Sequence, residues 1–260
     1  MENIQQRLKE VNVDYTRVES LYLENFREDP NIKAGQLANL YEIRALHSHF
    51  INHDLAATKQ SFYLCGRLSE YRVTNFDNSL LNYALNLVFY TFLSDNPHLI
   101  KRFTSWTYSK MDMMLDIGFH GLGALMSNTM QLLVKRDLEG VEHNLEKLKK
   151  IVEKKSGAWA VLDYQFYKAL AEQDKRQAEQ LLAEFVSPKN HKARNKHFAL
   201  VGELVSVPAI GYAKLAWLLG MEVEVNSPYL PKEWLPVQPL AVYDEYYDFL
   251  KQDKIKRGLQ

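Results

Sequence analysis

Cysteine is almost absent from this chain. The single residue, Cys65, excludes an internal disulfide and a metal site built from several thiolates. Its setting, Phe62-Tyr63-Leu64-Cys65, reads as a buried free thiol. Glycine and proline are sparse, 11 and 8 in 260 residues, and half of the prolines fall between Pro228 and Pro239. Neither sign of charge prevails, since Lys+Arg and Asp+Glu both total 32. That balance argues against a bulk electrostatic partner such as nucleic acid or an anionic membrane, although a local patch is still allowed. No uncharged apolar run approaches the length of a transmembrane helix. Met1-Glu2-Asn3-Ile4-Gln5-Gln6-Arg7 lacks the basic-then-apolar profile of a secretion signal, so a cytoplasmic protein is expected.

What the chain does have is helical periodicity. Ala158, Val161, Leu162, Phe166, Ala169 and Leu170 recur at helical spacing, Glu172-Gln173-Asp174 interrupts them, and Ala178, Leu181, Leu182 and Phe185 resume. Ser187-Pro188 ends the run. Leu125, Met130, Leu133 and Val134, then Lys135-Arg136-Asp137, then Leu138, Val141, Leu145, Leu148 and Val152 repeat the design. A lone hairpin cannot bury such stripes, so neighbouring hairpins must stack. Polar turns near Asp54, Asp95, Asp137 and Asp174 are spaced at about forty residues, near the length of helical-pair repeats. No motif recurs at fixed offsets. The expected fold is all-α, with stacked helical hairpins forming a degenerate α-solenoid or an irregular bundle. One domain spans 1–260, with capping helices over 1–33, hairpins over 34–219, and a Pro-rich strap and short closing helix over 220–260.

Further boundaries follow from local composition. Tyr71 to Ser79 reads as a loop with an N-cap at Asp77, Asn78 or Ser79, Leu80 to Leu93 as a buried helix, and Leu99 to Met114 as its return. Gly118, Gly121 and Gly123 read as a break. The stretch from Ser187 to Lys196 is basic, with no acid between Glu184 and Glu203. It reads either as a solvated loop with charge near helix ends or as a contact for an acidic partner. Phe198 to Leu219 is a last helical pair with Ser206 as cap, Pro208 in the first turn and Gly220 as stop.

Chemistry is harder to find. His47, His49 and His53, with Asp54 nearby, form the most metal-like cluster, but there is no HExxH arrangement and no third ligand at a diagnostic distance. No GxSxG elbow exists. Gly118-Phe119-His120-Gly121-Leu122-Gly123 lacks the strand before it and the Lys-Ser/Thr after it that a phosphate loop requires. No catalytic, cofactor-binding or metal-binding residue is assigned.

The tail is the distinctive part. Asn226-Ser227-Pro228-Tyr229-Leu230-Pro231-Lys232-Glu233-Trp234-Leu235-Pro236 is a proline-paced strap, which proline keeps extended and whose aromatic and aliphatic residues can anchor on helices. Pro228, Pro231, Trp234 and Leu235 are assigned to this structural role, with Trp234 expected against the last helical pair. The ending from Leu218 to Leu250 reads Gly-x-Glu-Val, then Ser-Pro-x-x-Pro-x-x-x-Leu-Pro, then Pro-Leu-x-x-Tyr-x-x-Tyr-Tyr-x-Phe-Leu. It resembles the Imm49-type immunity proteins of bacterial polymorphic toxin systems. That resemblance implies an all-helical cytoplasmic protein, encoded beside a toxin, which it neutralises by binding and without catalysis. A helical-repeat, TPR-like adaptor for another protein or peptide is the competing reading. Under the first reading the partner is a cognate toxin. Tyr164 and Tyr167 lie off the 158–170 stripe and either pack on a neighbouring hairpin or face outward as anchors. Lys189, Lys192, Arg194 and Lys196 would supply steering charge.

Overall fold

The computed structural model describes residues 2–256, and among them fourteen α-helices and no strand. In chain order these are α1 (Glu2–Glu24), α2 (Pro30–Phe50), α3 (Leu55–Phe76), α4 (Leu85–Leu93), α5 (Pro97–Phe103), α6 (Met111–Asp116), α7 (Leu122–Lys135), α8 (Leu138–Val152), α9 (Val161–Ala171), α10 (Lys175–Phe185), α11 (Pro188–Asn195), α12 (Ala199–Leu204), α13 (Val207–Leu218) and α14 (Asp248–Lys256). The all-α expectation and the paired stripes of 124–186 are both met, as α7–α8 and α9–α10 are packed hairpins that also touch through α8 and α9. The stack closes on itself. Helix α13 returns between α4 and α10, α12 meets α1, and α14 lies on α3. Leu8 near one end and Leu250 near the other are both fully buried in the same apolar core.

The repeated turn has a local cause. His53, Arg136 and Gln173 each take a left-handed backbone, at φ 54°, 59° and 56°. Each is followed by an aspartate, Asp54, Asp137 or Asp174, whose carboxylate accepts a hydrogen bond from a backbone N–H of the next helix's first turn. Asp95 departs from this pattern. It occupies the left-handed position itself, at φ 59°, and Asn96 caps α5 in its place. The Asp95 carboxylate is thereby released for another purpose.

That purpose is to hold the strap. Asp95 is buried at the centre of an ion triad, 2.8 Å from Lys59 Nζ and 2.5 Å from Lys214 Nζ. Lys214 also donates to the carbonyls of Trp234, Leu235 and Pro236, each at 3.0 Å, and Lys59 donates to Gln238 O at 2.7 Å. The strap thus gives its carbonyls to ammonium groups that the apolar core would otherwise leave unsatisfied. Burial pushes Lys214 down to about 8, against the opposing pull of Asp95. Trp234 is buried as expected, and its carbonyl meets Lys214 of the last helical pair. The Trp234 ring stands edge-on to His49 and Phe62, and tilted against Phe50, in α2 and α3. Of the other strap residues Pro231 and Leu235 are buried and Pro228 is exposed.

Several boundaries differ from those read in the sequence. Helix α3 continues to Phe76 where a loop was expected, because Tyr71 packs on Phe26 and Phe249. Asp77 then ends the helix in a left-handed conformation rather than starting the next one, and its carboxylate receives Ser109. Leu80–Asn82 forms a separate 3-10 turn before α4, and the returning helix of that pair is split into α5 and α6. Gly123 is a packing residue inside α7, since a Cβ there would meet Asn82 O at 1.7 Å. The basic stretch after Ser187 is a helix, α11, begun by Pro188. Ser206 precedes α13 without a side-chain cap bond, and Asn195 Oδ1 accepts from Val207 N instead. His49 is committed to the Trp234 ring, and among the described residues no group of three or more His, Cys, Asp or Glu side chains is placed to hold a metal ion.

One buried acid sets a pH dependence. Burial pushes Glu42 up to about 7 despite the hydrogen bond it accepts from Tyr90. The folded state therefore keeps a proton on Glu42 that the unfolded chain loses near pH 4.5. With more protons bound when folded, this group's contribution is full below pH 4.5 and is lost as pH rises to 7. Glu42→Gln should remove that loss. The stability difference between variant and wild type should widen across this window by about 1–3 kcal/mol, read from urea melts at pH 4.5, 6 and 8. A difference that stays constant across the three pH values would contradict the assignment.

Candidate functional site

A cavity of about 890 Å³ is a groove between α9 and its leading turn on one side and α11 on the other. Its floor is Phe89, Leu162 and Tyr212. Two helices of the floor, α13 and α4, pack closely at Gly211, where a Cβ would collide with the Phe89 ring at 2.0 Å. Large apolar side chains stand exposed around the rim: Tyr83 at 66%, Trp159 at 56% and Val161 at 38%. Singly exposed apolar residues are ordinary, but three of them about one concave site are not.

A buried polar cluster fixes the groove's geometry. Arg194 of α11 makes a two-pronged contact with Asp163 of α9, at 3.1 and 2.7 Å, and also donates to Trp159 O at 2.8 Å. Its guanidinium lies 4.5 Å from the centre of the Phe185 ring. Tyr212 donates to Asp163 Oδ1 at 2.7 Å and shares a hydrogen bond with the Tyr167 hydroxyl. Burial pushes both tyrosines well above their usual range, with the Asp163 charge adding to it. Burial alone would lower Arg194, yet Asp163 holds it above its usual value. The carboxylate thus accepts three hydrogen bonds, from one guanidinium and one phenol, and ties α9 to α11 and α13. The cluster pins α11 to α9, and beneath it His191 stacks on Tyr229 of the strap and bonds Gly202 O at 2.8 Å.

The residues singled out from the sequence divide among three places. Tyr167 is fully buried in the cluster and cannot be an outward anchor, because α9 packs on α7, α8 and α10 and so buries more than the one stripe. Arg194 is not a free steering charge, since its side chain is 13% exposed and paired with Asp163. Tyr164 is half-buried in a separate, smaller groove beside Leu138, Glu142 and Lys168. Lys189, Lys192 and Lys196 are exposed and make no ion pair with a described residue. At spacings of three and four they form one row along the shoulder of the wall, and Lys196 reaches the groove itself. Sequence reasoning missed Trp159, Asp163 and Tyr83. An apolar residue as large as Trp159 in the Gly157–Ala160 turn, ahead of the helical stripe, was the available signal.

Comparison with known families places most of this groove in a recognised stretch. Residues 118–234 match the immunity protein 49 family, Imm49. The Imm49 match covers just under half of the chain, from the turn before α7 through both central hairpins, α11 to α13 and the strap as far as Trp234. It therefore bears out the resemblance read from the tail. It also extends upstream into hairpins whose sequence had suggested only helical content, and it stops short of the Tyr243–Leu250 segment. Neither a curated protein nor a solved structure matches the chain. The Imm49 stretch holds Trp159, Asp163, Arg194 and Lys196, whereas Tyr83 and Phe89 come from outside it.

Proposed function

We propose that this protein is a cytoplasmic immunity protein that neutralises a cognate bacterial toxin by direct one-to-one contact, without catalysis of its own. The Imm49 match over residues 118–234 carries this reading. The groove adds support of a physical kind. Its charged interior groups are committed to one another, and its rim offers exposed aromatic surface, the composition of a binding face rather than of a reacting centre. The test is titration against the toxin-domain protein encoded beside the gene. Growth rescue on co-expression and a 1:1 complex by light scattering are expected, with toxicity suppressed only as the molar ratio approaches one. Full protection at a small fraction of that ratio would mean turnover and would contradict the non-catalytic reading.

A further inference from the structure

We infer, resting on the immunity reading, that the groove between α9 and α11 receives an acidic segment of the toxin that carries an aromatic or large aliphatic side chain. The volume of about 890 Å³ holds several side chains, so it fits a segment rather than one residue. The apolar half of the fit is the floor of Phe89 and Leu162 under the exposed Trp159 ring. Aromatic residues at a concave rim are the usual anchors of protein interfaces. The acidic half follows from charge. The chain as a whole is neutral, yet Lys189 and Lys192 on α11 and Lys196 at its end have no counter-ion among the described residues, and no acid falls between Glu184 and Glu203. Glu203 is itself paired with Arg7, and Asp163 is cancelled by Arg194. Glu184 is the one remaining acid in the lining, against Lys196 in the lining and Lys189 and Lys192 on α11. Such an excess attracts a negative partner and raises its encounter rate.

The same features weigh against a nucleic acid as occupant. Three lysines on one shoulder, on a chain with no net charge and with Glu184 in the lining, fall short of the basic stripe that a phosphate backbone requires. The polar cluster has a distinct part in this site. Arg194 and Asp163 position α11 and do not touch the partner, so the wall is already in place before binding.

The experiment measures binding rates of the full chain with the toxin-domain protein encoded beside the gene, at low and high salt. Lys189→Glu/Lys192→Glu/Lys196→Glu should slow association about tenfold at low salt and flatten its salt dependence. Trp159→Ala, at an exposed position, should speed dissociation about tenfold. Val242→Ser, exposed on the tail, serves as the control. Among overlapping peptides of the toxin, those captured by the wild-type chain and lost by Trp159→Ala should be acidic and carry an aromatic or large aliphatic residue. Unchanged rates for both groove variants, on a wild type that binds, would overturn the groove and leave the immunity reading standing. So would a loss of binding on Tyr164→Ala alone, which would move the interface to the α8–α9 groove. Capture of basic peptides, or of a 20-nucleotide oligothymidylate in preference to the toxin, would overturn the chemistry assigned to the occupant. A wild-type chain that neither binds nor rescues would overturn the immunity reading itself, and the groove with it.

Discussion

Asp95→Asn is expected to lower the stability of the folded chain by about 3–5 kcal/mol, the largest effect of any polar substitution considered. The amide keeps the shape of the side chain, and asparagine tolerates the left-handed backbone at φ 59°. The charge is removed, and one of two oxygens that both accept here becomes an NH2 donor. Lys59 and Lys214, whose side chains are 4% and 0% exposed, then have no counter-ion, and the carbonyls of the strap accept their hydrogen bonds without offsetting their charge. Breaking one partner of a buried ion set costs far more than the set contributes to stability. Urea denaturation at pH 7 is the measurement, and Asp95→Asn/Lys214→Met should recover part of the loss because it removes one of the stranded charges. A change below about 0.5 kcal/mol would mean that the triad does not hold the strap.

Trp234→Ala should cost a similar amount, about 3–5 kcal/mol, by a different route. The ring is 2% exposed and fills the space between His49, Phe50 and Phe62. Among the described residues its indole N–H meets no acceptor, so the Trp contributes packing there and no side-chain hydrogen bond. Trp234→Phe therefore keeps much of the contact while deleting the unmatched donor, and it should fall within about 1–2 kcal/mol of the wild type. The alanine variant keeps the backbone carbonyl that Lys214 grips. The strap should then loosen around residue 234 before it detaches, seen as faster proteolysis there. Equal stability for the alanine variant would contradict the docked strap.

The parts of the fold that were legible share one property. Helices α8 and α10 carry a single apolar stripe against a charged face, so period alone locates them, and the aspartates at their starts mark the turns. Helix α11 was missed because it is polar on every side and has no stripe to read; Pro188 and the contact of Arg194 with Asp163 specify it instead. Helix α9 was located correctly but oriented too simply. Asp163 and Tyr167 form a second buried row beside the first, which follows from a helix packed on several neighbours. The ion triad was invisible in the same way, since Asp95 looked like one more turn residue. Its signal lay elsewhere, in Lys214, a lone charge in the otherwise apolar run of α13. In the candidate site the basic row was readable and the groove was not. Tyr83 and Phe89 lie far from α11 in the chain and reach it only through the return of α13 onto α4.

The central claim is that this face of the Imm49 stretch is where a toxin is held. Hydrogen exchange of the full chain, alone and mixed with the toxin-domain protein encoded beside its gene, tests it most directly. Slowed exchange should concentrate in residues 158–163 and 188–198, with α1 and the outer side of α2 unchanged. Slowed exchange confined to α1–α3, or to the α8–α9 groove around Tyr164, would contradict it.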